Sequence, residues 1–416
     1  MPIKTVAVSS DPAGQIARPR WFQRLPRDIW ILGLVSMFMD ISSELVHSLM
    51  PVFLATVLGA SMVTIGLIEG IAEATAAVTK VFSGTLSDYF RRRKWLVLMG
   101  YGLSAFTKPL FPLATSVGWI FAARFTDRIG KGMRGAPRDA LIADIVPQSL
   151  RGTAYGFRQA FDSAGALLGP VLALLFMYIL AGNIKAVLWI AVVPAMIAVV
   201  LVVLVREPEP IEGNEGGVRL RWQDAAGLGG RFWMVVSLAA VFTLARFSEA
   251  FLILRAQNVG LAIAYVPLIL IVMNLVYAGL AYPAGVAADR WPARGLLVSG
   301  MLALVAADLL LAFATTPVMA FAGAAMWGLH MAMTQGLLSK LVADAAPQAL
   351  RGTAFGIYNL ATGVALLLAS VLAGLGWSHL GAAYPFFAGA VFALFAVFGL
   401  LFIRTGTGKS TSTRGT

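Results

Sequence analysis

The amino-acid sequence predicts an all-α membrane protein whose twelve transmembrane helices form two pseudo-symmetric six-helix bundles. Of the 416 residues, 59% are apolar and only 12% are charged, whereas about a quarter of the residues in a soluble domain are charged. Apolar runs recur from Ile29 to Ile403, and many exceed about 18 residues, the length that a membrane-spanning helix requires. A sixteen-residue segment also recurs 200 positions further along the chain, which indicates that the second half repeats the first.

Turn residues and charge clusters divide the apolar runs into two sets of six predicted spans. The first set comprises residues 29–56, 61–86, 95–114, 117–138, 153–180 and 184–204, which form the predicted N-terminal bundle, 29–204. The second set comprises residues 233–256, 262–287, 295–313, 317–341, 353–376 and 383–403, which form the predicted C-terminal bundle, 233–403. The interval 205–232 is predicted to be a flexible linker, and residues 1–28 and 404–416 are predicted to be tails.

The net charge of +12 is distributed over alternate loops. Basic residues precede the first span, follow the second, occupy the central interval and fill the C-terminal tail, whereas the intervening loops carry little beyond Lys185. Because basic loops remain on the cytoplasmic side of a membrane, we expect both termini and the linker to be cytoplasmic in a multi-pass protein of the inner cell membrane. The basic character is therefore a topology signal, and we expect no nucleic-acid partner.

The internal repeat indicates how the chain is organised. Residues 141–156 read LIADIVPQSLRGTAYG and residues 341–356 read LVADAAPQALRGTAFG, so eleven of sixteen positions are identical. The two copies fall at the same place in their sets of spans, which indicates that both halves run in the same direction. Parallel repeats of this kind place a binding site near the midplane of the membrane, where the halves meet.

A second pair of matching segments lies in the loops that follow the second and eighth spans. The first loop carries glycine, aspartate and arginine as Gly84, Asp88, Arg92 and Arg93. The second loop keeps part of this pattern, as Gly285, Asp289 and Arg290. A glycine permits close helix approach, and an aspartate at a helix end can accept hydrogen bonds from a neighbouring helix N-terminus or from an arginine.

In its span count, central linker, repeat and loop motif, the chain resembles the major facilitator superfamily. In that family the loop after the second span carries the pattern Gly-x-x-x-Asp-basic-x-Gly-basic-basic, from which this chain departs at Tyr89 and Arg91. The resemblance implies a secondary active transporter that works by alternating access. It also implies a conformational latch on one side of the membrane, formed by Gly84, Asp88, Arg92, Arg93, Asp289 and Arg290.

Ionisable side chains occur in the first two predicted spans at helical spacing. Asp40, Glu44 and His47 lie on one face of the first span, and Glu69 and Glu73 lie on one face of the second. Each such group costs about 2.5–3.5 kcal/mol at the centre of a spanning helix, so the four carboxylates are expected to face a cavity or cationic partners. Like charges close together in a low-dielectric site cannot all remain ionised, and at least one of these acids is expected to carry a proton.

The fourth and fifth predicted spans supply cationic partners for these acids. Arg124 and Arg128 are one turn apart in the fourth span, and Arg158 and Asp162 are one turn apart in the fifth. In one interpretation, acids and arginines form structural ion pairs that tie the N-terminal helices together. In the other, at least one acid binds the substrate or a coupling proton, because a buried and incompletely paired carboxyl readily exchanges a proton. The sequence leaves both interpretations open.

The fifth predicted span also contains Gly165, Gly169 and Pro170. Glycines at this spacing permit tight helix packing, and a proline within a spanning helix introduces a bend. The segment resembles the start of the superfamily's exporter motif, although Ala173 and Leu174 occupy positions where that motif has a glycine pair. The resemblance favours export over import, with a generic kinked helix as the alternative.

The predicted C-terminal bundle carries fewer charges than the N-terminal bundle. Arg246 and Glu249 lie one turn apart in the seventh span. The other polar or aromatic side chains of these spans are Asn274, Tyr277, Asp308, Trp327, His330, Gln335, Tyr358 and Asn359. Individually, each is expected to serve in interhelical bonding or core packing, but together they would form a mixed wall suited to an amphiphilic organic solute.

These observations predict a proton-coupled antiporter that lies in a lipid bilayer and exports a small organic solute or drug. We expect it to work as a monomer and to need no cofactor. A transporter of divalent metal ions or metal chelates is the first alternative, because Asp40, Glu44 and His47 offer oxygen and imidazole ligands. A non-transporting receptor or scaffold with the same fold is the second. The absence of cysteine excludes disulfides and thiolate metal sites. No nucleophile motif lies beside the three histidines, and the sequence contains no phosphate-binding loop. We therefore expect no enzymatic activity.

Overall fold

The computed structural model describes residues 25–90, 92–207, 227–290, 292–347 and 350–402. These residues are almost entirely helical and contain no strand, which confirms the predicted all-α class. Eight of the described helices are long and apolar enough to cross a membrane by length and composition. Among the remaining crossing segments, Gly230–Leu244 and Tyr384–Leu400 are shorter apolar helices, and Val117–Ile145 carries several charges.

Twelve crossing segments, in the predicted order, are formed by the described residues. The first half contains α1 (Arg27–Val52) with a π-helical turn (Phe53–Val57), α2 (Met62–Phe90), α3 (Arg93–Thr107) with α4 (Leu110–Leu113), α5 (Val117–Ile145), α6 (Arg151–Ile179), and α7 (Ile184–Ile190) with α8 (Val192–Leu204). The second half contains α9 (Gly230–Leu244) with α10 (Ala250–Asn258), α11 (Pro267–Arg290), α12 (Ala293–Ala312), α13 (Pro317–Ala345), α14 (Arg351–Leu380) and α15 (Tyr384–Phe402). Most of the predicted linker lies outside the described residues, so the domain boundaries stay a prediction.

Two crossing segments are interrupted at positions that their prolines explain. Pro109 lacks the N–H that would bond the carbonyl of Ala105, to which the N–H of Lys108 donates instead at 3.1 Å, and α3 ends at Thr107. Pro194 stands in the same relation to Ile190, where α7 ends. A proline inside a helix removes the hydrogen bond to the residue four positions earlier and clashes with its carbonyl, so one helix ends there and another begins.

The seventh crossing segment differs from its prediction, because it is not one continuous helix. Residues 245–249 are not helical and separate α9 from α10 within the predicted span 233–256. This interval contains no glycine or proline, so local propensity does not explain the interruption. Its Ser248 N–H instead donates to Oγ of Ser370 in α14 at 3.2 Å. Irregular backbone at membrane depth is tolerated where it is bonded within the protein or lines a cavity, and this interval does both.

Helix α6 packs closely against α1 through the two glycines that the sequence singled out. A Cβ atom at Gly165 would lie 2.7 Å from the carbonyl oxygen of Met37, and one at Gly169 would lie 2.7 Å from Cβ of Glu44. Side chains larger than hydrogen would separate the helices at both positions. The glycines therefore bring α6 against the stretch of α1 that carries its acidic residues.

Gly169→Ala is expected to destabilise the protein by about 1–3 kcal/mol, because the added methyl group overpacks this contact. Gly156→Ala on the same helix is the matched control, since a Cβ atom there would meet no described heavy atom within 4 Å. The control should stabilise the helix by about 0.5–1 kcal/mol. Denaturant unfolding of the purified variants measures both changes, and equal stabilities would contradict the close packing at Gly169.

The two bundles meet where α2 packs against α14. A Cβ atom at Gly70 would lie 3.0 Å from Cα of Leu367, and one at Gly374 would lie 2.5 Å from the carbonyl oxygen of Met62. Met62 begins α2, whereas the basic loop (residues 91–94) follows its other end. The glycines therefore join the bundles towards the side of the protein opposite the basic loop.

Pro170 provides a second contact between the bundles through the backbone of α6. Because a proline has no N–H, the carbonyl of Ala166, four residues earlier, lacks a partner within the helix. The side-chain amide of Asn274 in α11 donates to this carbonyl at 3.1 Å. The proline thus leaves an acceptor on α6 that the opposite bundle binds.

Contacts around the start of α3 join neighbouring segments at the end of the N-terminal bundle that carries the basic loop. Arg93 Nε lies 3.1 Å from a carboxylate oxygen of Asp144 in α5, and the backbone N–H of Lys94 donates to Glu207 at 3.0 Å. The side chains of Asp88, Asp289 and Arg290 lie outside the described part of the structure. The latch assigned to Gly84, Asp88, Arg92, Arg93, Asp289 and Arg290 therefore stays a prediction.

Candidate functional site

A cavity of about 310 Å³, termed here the central cavity, is lined by residues of both bundles. From the N-terminal half it is lined by Glu44, His47, Glu73, Arg128 and Lys131. From the C-terminal half it is lined by Thr243, Arg246, Phe247, Ser248, Glu249, Trp327 and Leu366. The first wall is therefore charged, whereas the second combines charged, hydroxyl and aromatic side chains and includes the interruption of the seventh segment.

A second cavity of about 410 Å³, termed the basic-side cavity, adjoins the first and shares Glu44, Glu73 and Lys131 with it. It extends along α2 to Lys80, which lies nearer the basic loop, and it is also lined by Asp40 of α1. The shared side chains place the two cavities next to each other. The charged face of the N-terminal bundle therefore borders a path from the centre of the protein towards the basic side.

A chain of four side chains joins the N-terminal bundle to the C-terminal bundle. Arg124 of α5 forms a buried ion pair with Glu69 of α2, and its guanidinium lies 3.2 Å from Nδ1 of His47. His47 Nε2 in turn lies 3.8 Å from a carboxylate oxygen of Glu249, which precedes α10. The sequence predicted Arg124 as a partner for the acids, but it did not predict the link through His47 to the other bundle.

Glu73 and Arg128 form a second ion pair between α2 and α5, beside the central cavity. Their charged atoms are 3.1 Å apart, and the arginine side chain is 5% exposed whereas the glutamate is 30% exposed. Together with the Glu69–Arg124 pair, this geometry favours the structural interpretation for two of the four predicted acids. The charges of Glu69 and Glu73 are therefore each offset by an arginine, and the expectation that one of the four acids carries a proton stays a prediction.

Asp40 and Glu44 are the other two predicted acids, and neither forms a hydrogen bond or an ion pair with the described residues. Both line the basic-side cavity, and Glu44 also lines the central cavity. They are one turn apart on α1, at the positions that Gly165 and Gly169 of α6 approach. The structure thus distinguishes two acids bonded to arginines from two acids that face a cavity without a bonded cation.

Lys108 and Asp127 form an ion pair inside the N-terminal bundle, and neither lines the two cavities. Their charged atoms are 3.0 Å apart, and the side chains are 1% and 5% exposed. The ammonium group also donates to Ser43 at 3.2 Å, and the Thr107 hydroxyl donates to Asp127 at 3.4 Å. We interpret this pair as structural, because it links the end of α3 to α5 without contact to a cavity.

Arg158 and Asp162 form the predicted pair on α6, with charged atoms 3.2 Å apart. Arg138 of α5 lies 3.8 Å from Asp162, and Asp139 lies 3.2 Å from Arg158. Asp162 lines the basic-side cavity. Because each charge in this group has an opposite neighbour, we interpret the group as a network that binds α5 to α6.

Arg246 and Glu249 were predicted one turn apart on a helix, but they lie at the interruption between α9 and α10. Glu249 contacts His47, whereas the side chain of Arg246 has no hydrogen bond or ion pair within the described residues, and its buried Nε is unsatisfied. Trp327, for which core packing was predicted, is 1% exposed and lines the central cavity. Its indole N–H also has no acceptor in the described part of the chain. Helical spacing alone did not reveal this pair of unsatisfied donors.

The metal-site alternative lacks the geometry that it requires. Among the described residues, no group of three histidine, aspartate or glutamate side chains is arranged to hold a metal ion. His47 contacts an arginine and a glutamate instead, and Asp40 lines the basic-side cavity but not the central one. The described residues therefore give no support to Asp40, Glu44 and His47 as a metal ligand set, which stays a prediction.

Two parallel half-repeats, twelve crossing helices and a polar cavity between the halves define a two-bundle membrane transporter. The family model of the Major Facilitator Superfamily matches residues 32–256 and 235–415. The chain belongs to this superfamily, as its loop motif and repeat predicted. Membership makes it a multi-pass membrane protein that transports a solute, and it confirms the expectation that the chain is not an enzyme.

Relatives match nearly the whole chain. An MFS-type transporter of Methanocaldococcus jannaschii is 31% identical over 389 residues, which cover 92% of this chain and 96% of the relative. A protein of Mycobacterium tuberculosis is 28% identical over 381 residues, which cover 90% of each chain. The similarity therefore extends over both bundles.

Solved structures share the fold at lower sequence identity. A D-xylose–proton symporter has a TM-score of 0.73 at 16% identity, over 89% of this chain and 96% of that chain. An inward-facing, unoccupied bacterial homologue of the human lysosomal transporter Spinster has a TM-score of 0.71 at 15% identity, over 92% and 97%. These similarities establish the twelve-helix, two-domain fold, which confirms the predicted architecture.

Proposed function

We propose that the chain is a proton-coupled secondary transporter of the inner cell membrane that exports a small organic solute by alternating access. The observation that carries the proposal is the placement of Asp40 and Glu44 along the cavities between the bundles, with no ion-pair partner among the described residues. Alternating access requires a site that both bundles contribute to, and the central cavity meets this requirement. One of these two acids carries the coupling proton, and the monomer is the working unit.

The neighbours of the four acids support this assignment. Protonation of Glu69 or Glu73 would leave a buried arginine without its carboxylate, which is costly in a low-dielectric interior. Protonation of Asp40 or Glu44 removes a charge that no bonded cation compensates. Proton uptake and release are therefore less costly at the second pair than at the first.

The direction of transport rests on the segment that resembles the exporter motif. Gly169 of this segment approaches Glu44 closely enough that a Cβ atom would lie 2.7 Å from that of the glutamate. Pro170 exposes the carbonyl of Ala166, to which Asn274 of the opposite bundle donates. The segment therefore adjoins both a proposed coupling acid and a contact between the bundles, which supports its role in export.

Proteoliposomes that contain the purified protein and an internal pH indicator test the proposal. A screen of small organic cations, anions and neutral compounds is expected to find a solute whose transport moves protons. An imposed proton gradient should then drive accumulation of that solute. Flux that is independent of the gradient would contradict proton coupling, and the absence of protein-dependent flux would favour the receptor or scaffold alternative.

The termini and the linker are expected to face the cytoplasm, because the basic residues cluster on that side. Since the chain has no cysteine, single cysteines can report the orientation in intact cells. An impermeant thiol reagent is expected to label Lys185→Cys, which lies at the start of α7, and to leave Gly213→Cys in the linker unlabelled until the cells are opened. Labelling of the linker from outside would contradict this topology.

A further inference from the structure

The C-terminal wall of the central cavity contains a cation without a bonded acid among the described residues. Arg246 lies in the non-helical interval between α9 and α10 and lines the cavity, and its side chain forms no hydrogen bond or ion pair with a described residue. Glu249, three residues further along, contacts His47 of the opposite bundle at 3.8 Å. An uncompensated cation in a low-dielectric site is costly, so this wall is suited to an anionic group supplied by a ligand.

A second unsatisfied donor lies on the same wall. Trp327 is 1% exposed and lines the central cavity, and its indole N–H has no acceptor among the residues that the structure describes. Indole N–H and guanidinium groups donate hydrogen bonds and cannot accept them. The indole N–H is buried, so a ligand in the cavity bonds the guanidinium of Arg246, to which a negatively charged acceptor gives the stronger bonds.

The other charges of the central cavity do not compensate Arg246. Glu73 pairs with Arg128 across 3.1 Å, and Lys131 adds a further cation to the lining. Glu44 lies on the opposite wall and is one of the two acids proposed to carry the proton. Within the described lining, no acid therefore forms an ion pair with Arg246.

Apolar side chains complete the wall beside the two donors. Phe247 is 4% exposed, and its ring centroid lies 5.5 Å from that of Trp327, while Leu366 lines the cavity from α14. The volume of about 310 Å³ is at the lower end of the range of small-molecule pockets, about 300–1,000 Å³. A ligand with one ring and a short acidic chain suits this size.

We propose that the central cavity binds a small amphiphilic organic anion, whose acidic group is held by Arg246. The apolar body of the ligand packs against Phe247 and Leu366. This inference rests on the proposed transport function and names the chemical class of its substrate.

Three probes of similar shape and different charge test the class of ligand: 3-phenylpropionate, 3-phenylpropanamide and 3-phenylpropylamine. The acid is expected to raise the thermal transition of the purified full-length protein by mass action, whereas the amide and the amine change it little. Arg246→Gln is expected to lower the affinity for the acid by about tenfold or more, because a charge-assisted hydrogen bond is lost. Lys185→Gln removes a cation that does not line the cavity, so it should leave the affinity unchanged.

Arg246→Lys keeps the positive charge and removes the planar fork of donors, so it provides a second variant if Arg246→Gln does not fold. This variant is expected to bind the acid more weakly than the wild type does, without a change in its response to the amine. Stabilisation by the amine rather than the acid, no shift with the acid at millimolar concentration, or wild-type affinity in both variants would overturn the proposal. The proposed transport function is tested separately, because the proteoliposome screen would still report flux of a cationic or neutral solute.

Discussion

Asp40→Asn or Glu44→Gln is expected to reduce gradient-driven accumulation of the transported solute to background while solute exchange continues. Accumulation against a gradient requires net proton movement, whereas exchange of solute for solute does not. The two acids are singled out because they line the cavities without a described ion-pair partner. Uptake into proteoliposomes, measured with and without an imposed proton gradient, separates the two activities.

Glu69→Gln is the matched control for this experiment. It leaves Arg124, which is 2% exposed, without its carboxylate, so it should lower folding yield, accumulation and exchange together. If Asp40→Asn and Glu44→Gln both retain pH-dependent accumulation, coupling through α1 is wrong. Asp308 of α12 would then be the next acid to test, because both of its carboxyl oxygens are buried without a described partner.

Asp127→Asn is expected to destabilise the protein by about 3–5 kcal/mol, because it leaves the buried ammonium of Lys108 uncompensated. The side chains of the pair are 1% and 5% exposed, so water cannot replace the lost carboxylate. Denaturant unfolding in a fixed detergent measures the loss. Lys108→Met in the same chain should recover most of it, since the double variant removes both charges.

The double variant also distinguishes a structural pair from a functional one. If the pair is structural, the double variant should transport at close to the wild-type rate once it has folded. If Asp127→Asn and wild type unfold at the same denaturant concentration, the burial of this pair does not have the energetic consequence argued here.

Most of the fold could be predicted from the sequence, because a membrane imposes a strong constraint on composition and length. Each span must satisfy its own backbone hydrogen bonds and present apolar side chains to lipid, so the apolar runs mark the helices. The repeated segment, 141–156 and 341–356, then relates the two halves. The loop motif around Gly84 and Asp88 led to the superfamily, which the family model confirms.

The pairing of the charged residues could not be predicted, because helical spacing gives the face of a side chain but not its neighbour on another helix. Asp40, Glu44, Glu69 and Glu73 were equivalent by that criterion. In the structure, Glu69 contacts Arg124 and Glu73 contacts Arg128, whereas the acids of α1 face cavities. The division between structural and candidate coupling acids therefore depends on tertiary packing.

The interruption of the seventh segment was also beyond the sequence analysis. Residues 245–249 contain no helix-breaking glycine or proline, and the bond from Ser248 N–H to Ser370 joins residues that are 122 positions apart. No local pattern encodes such a contact. The consequence for the site is large, because the interruption places Arg246 in the central cavity without a described partner.

The central claim is that the two bundles must separate and rejoin during transport, and a reversible cross-link between them tests it directly. A Cβ atom at Gly363 of α14 would lie 2.9 Å from Cβ of Ala77 in α2, so α2 and α14 must move apart by about 0.6 Å to reach the Cβ separation of about 3.5–4.5 Å in disulfides. Because the chain has no cysteine of its own, Ala77→Cys combined with Gly363→Cys introduces a single pair. Ala77→Cys and Gly363→Cys alone are the controls.

Oxidation of the double variant is expected to stop transport in proteoliposomes, and a reductant is expected to restore it, because the disulfide holds α2 against α14. The single variants should transport equally under both conditions. If the disulfide forms quantitatively and the oxidised protein still transports solute as fast as the reduced protein, alternating access through movement of these two bundles is contradicted.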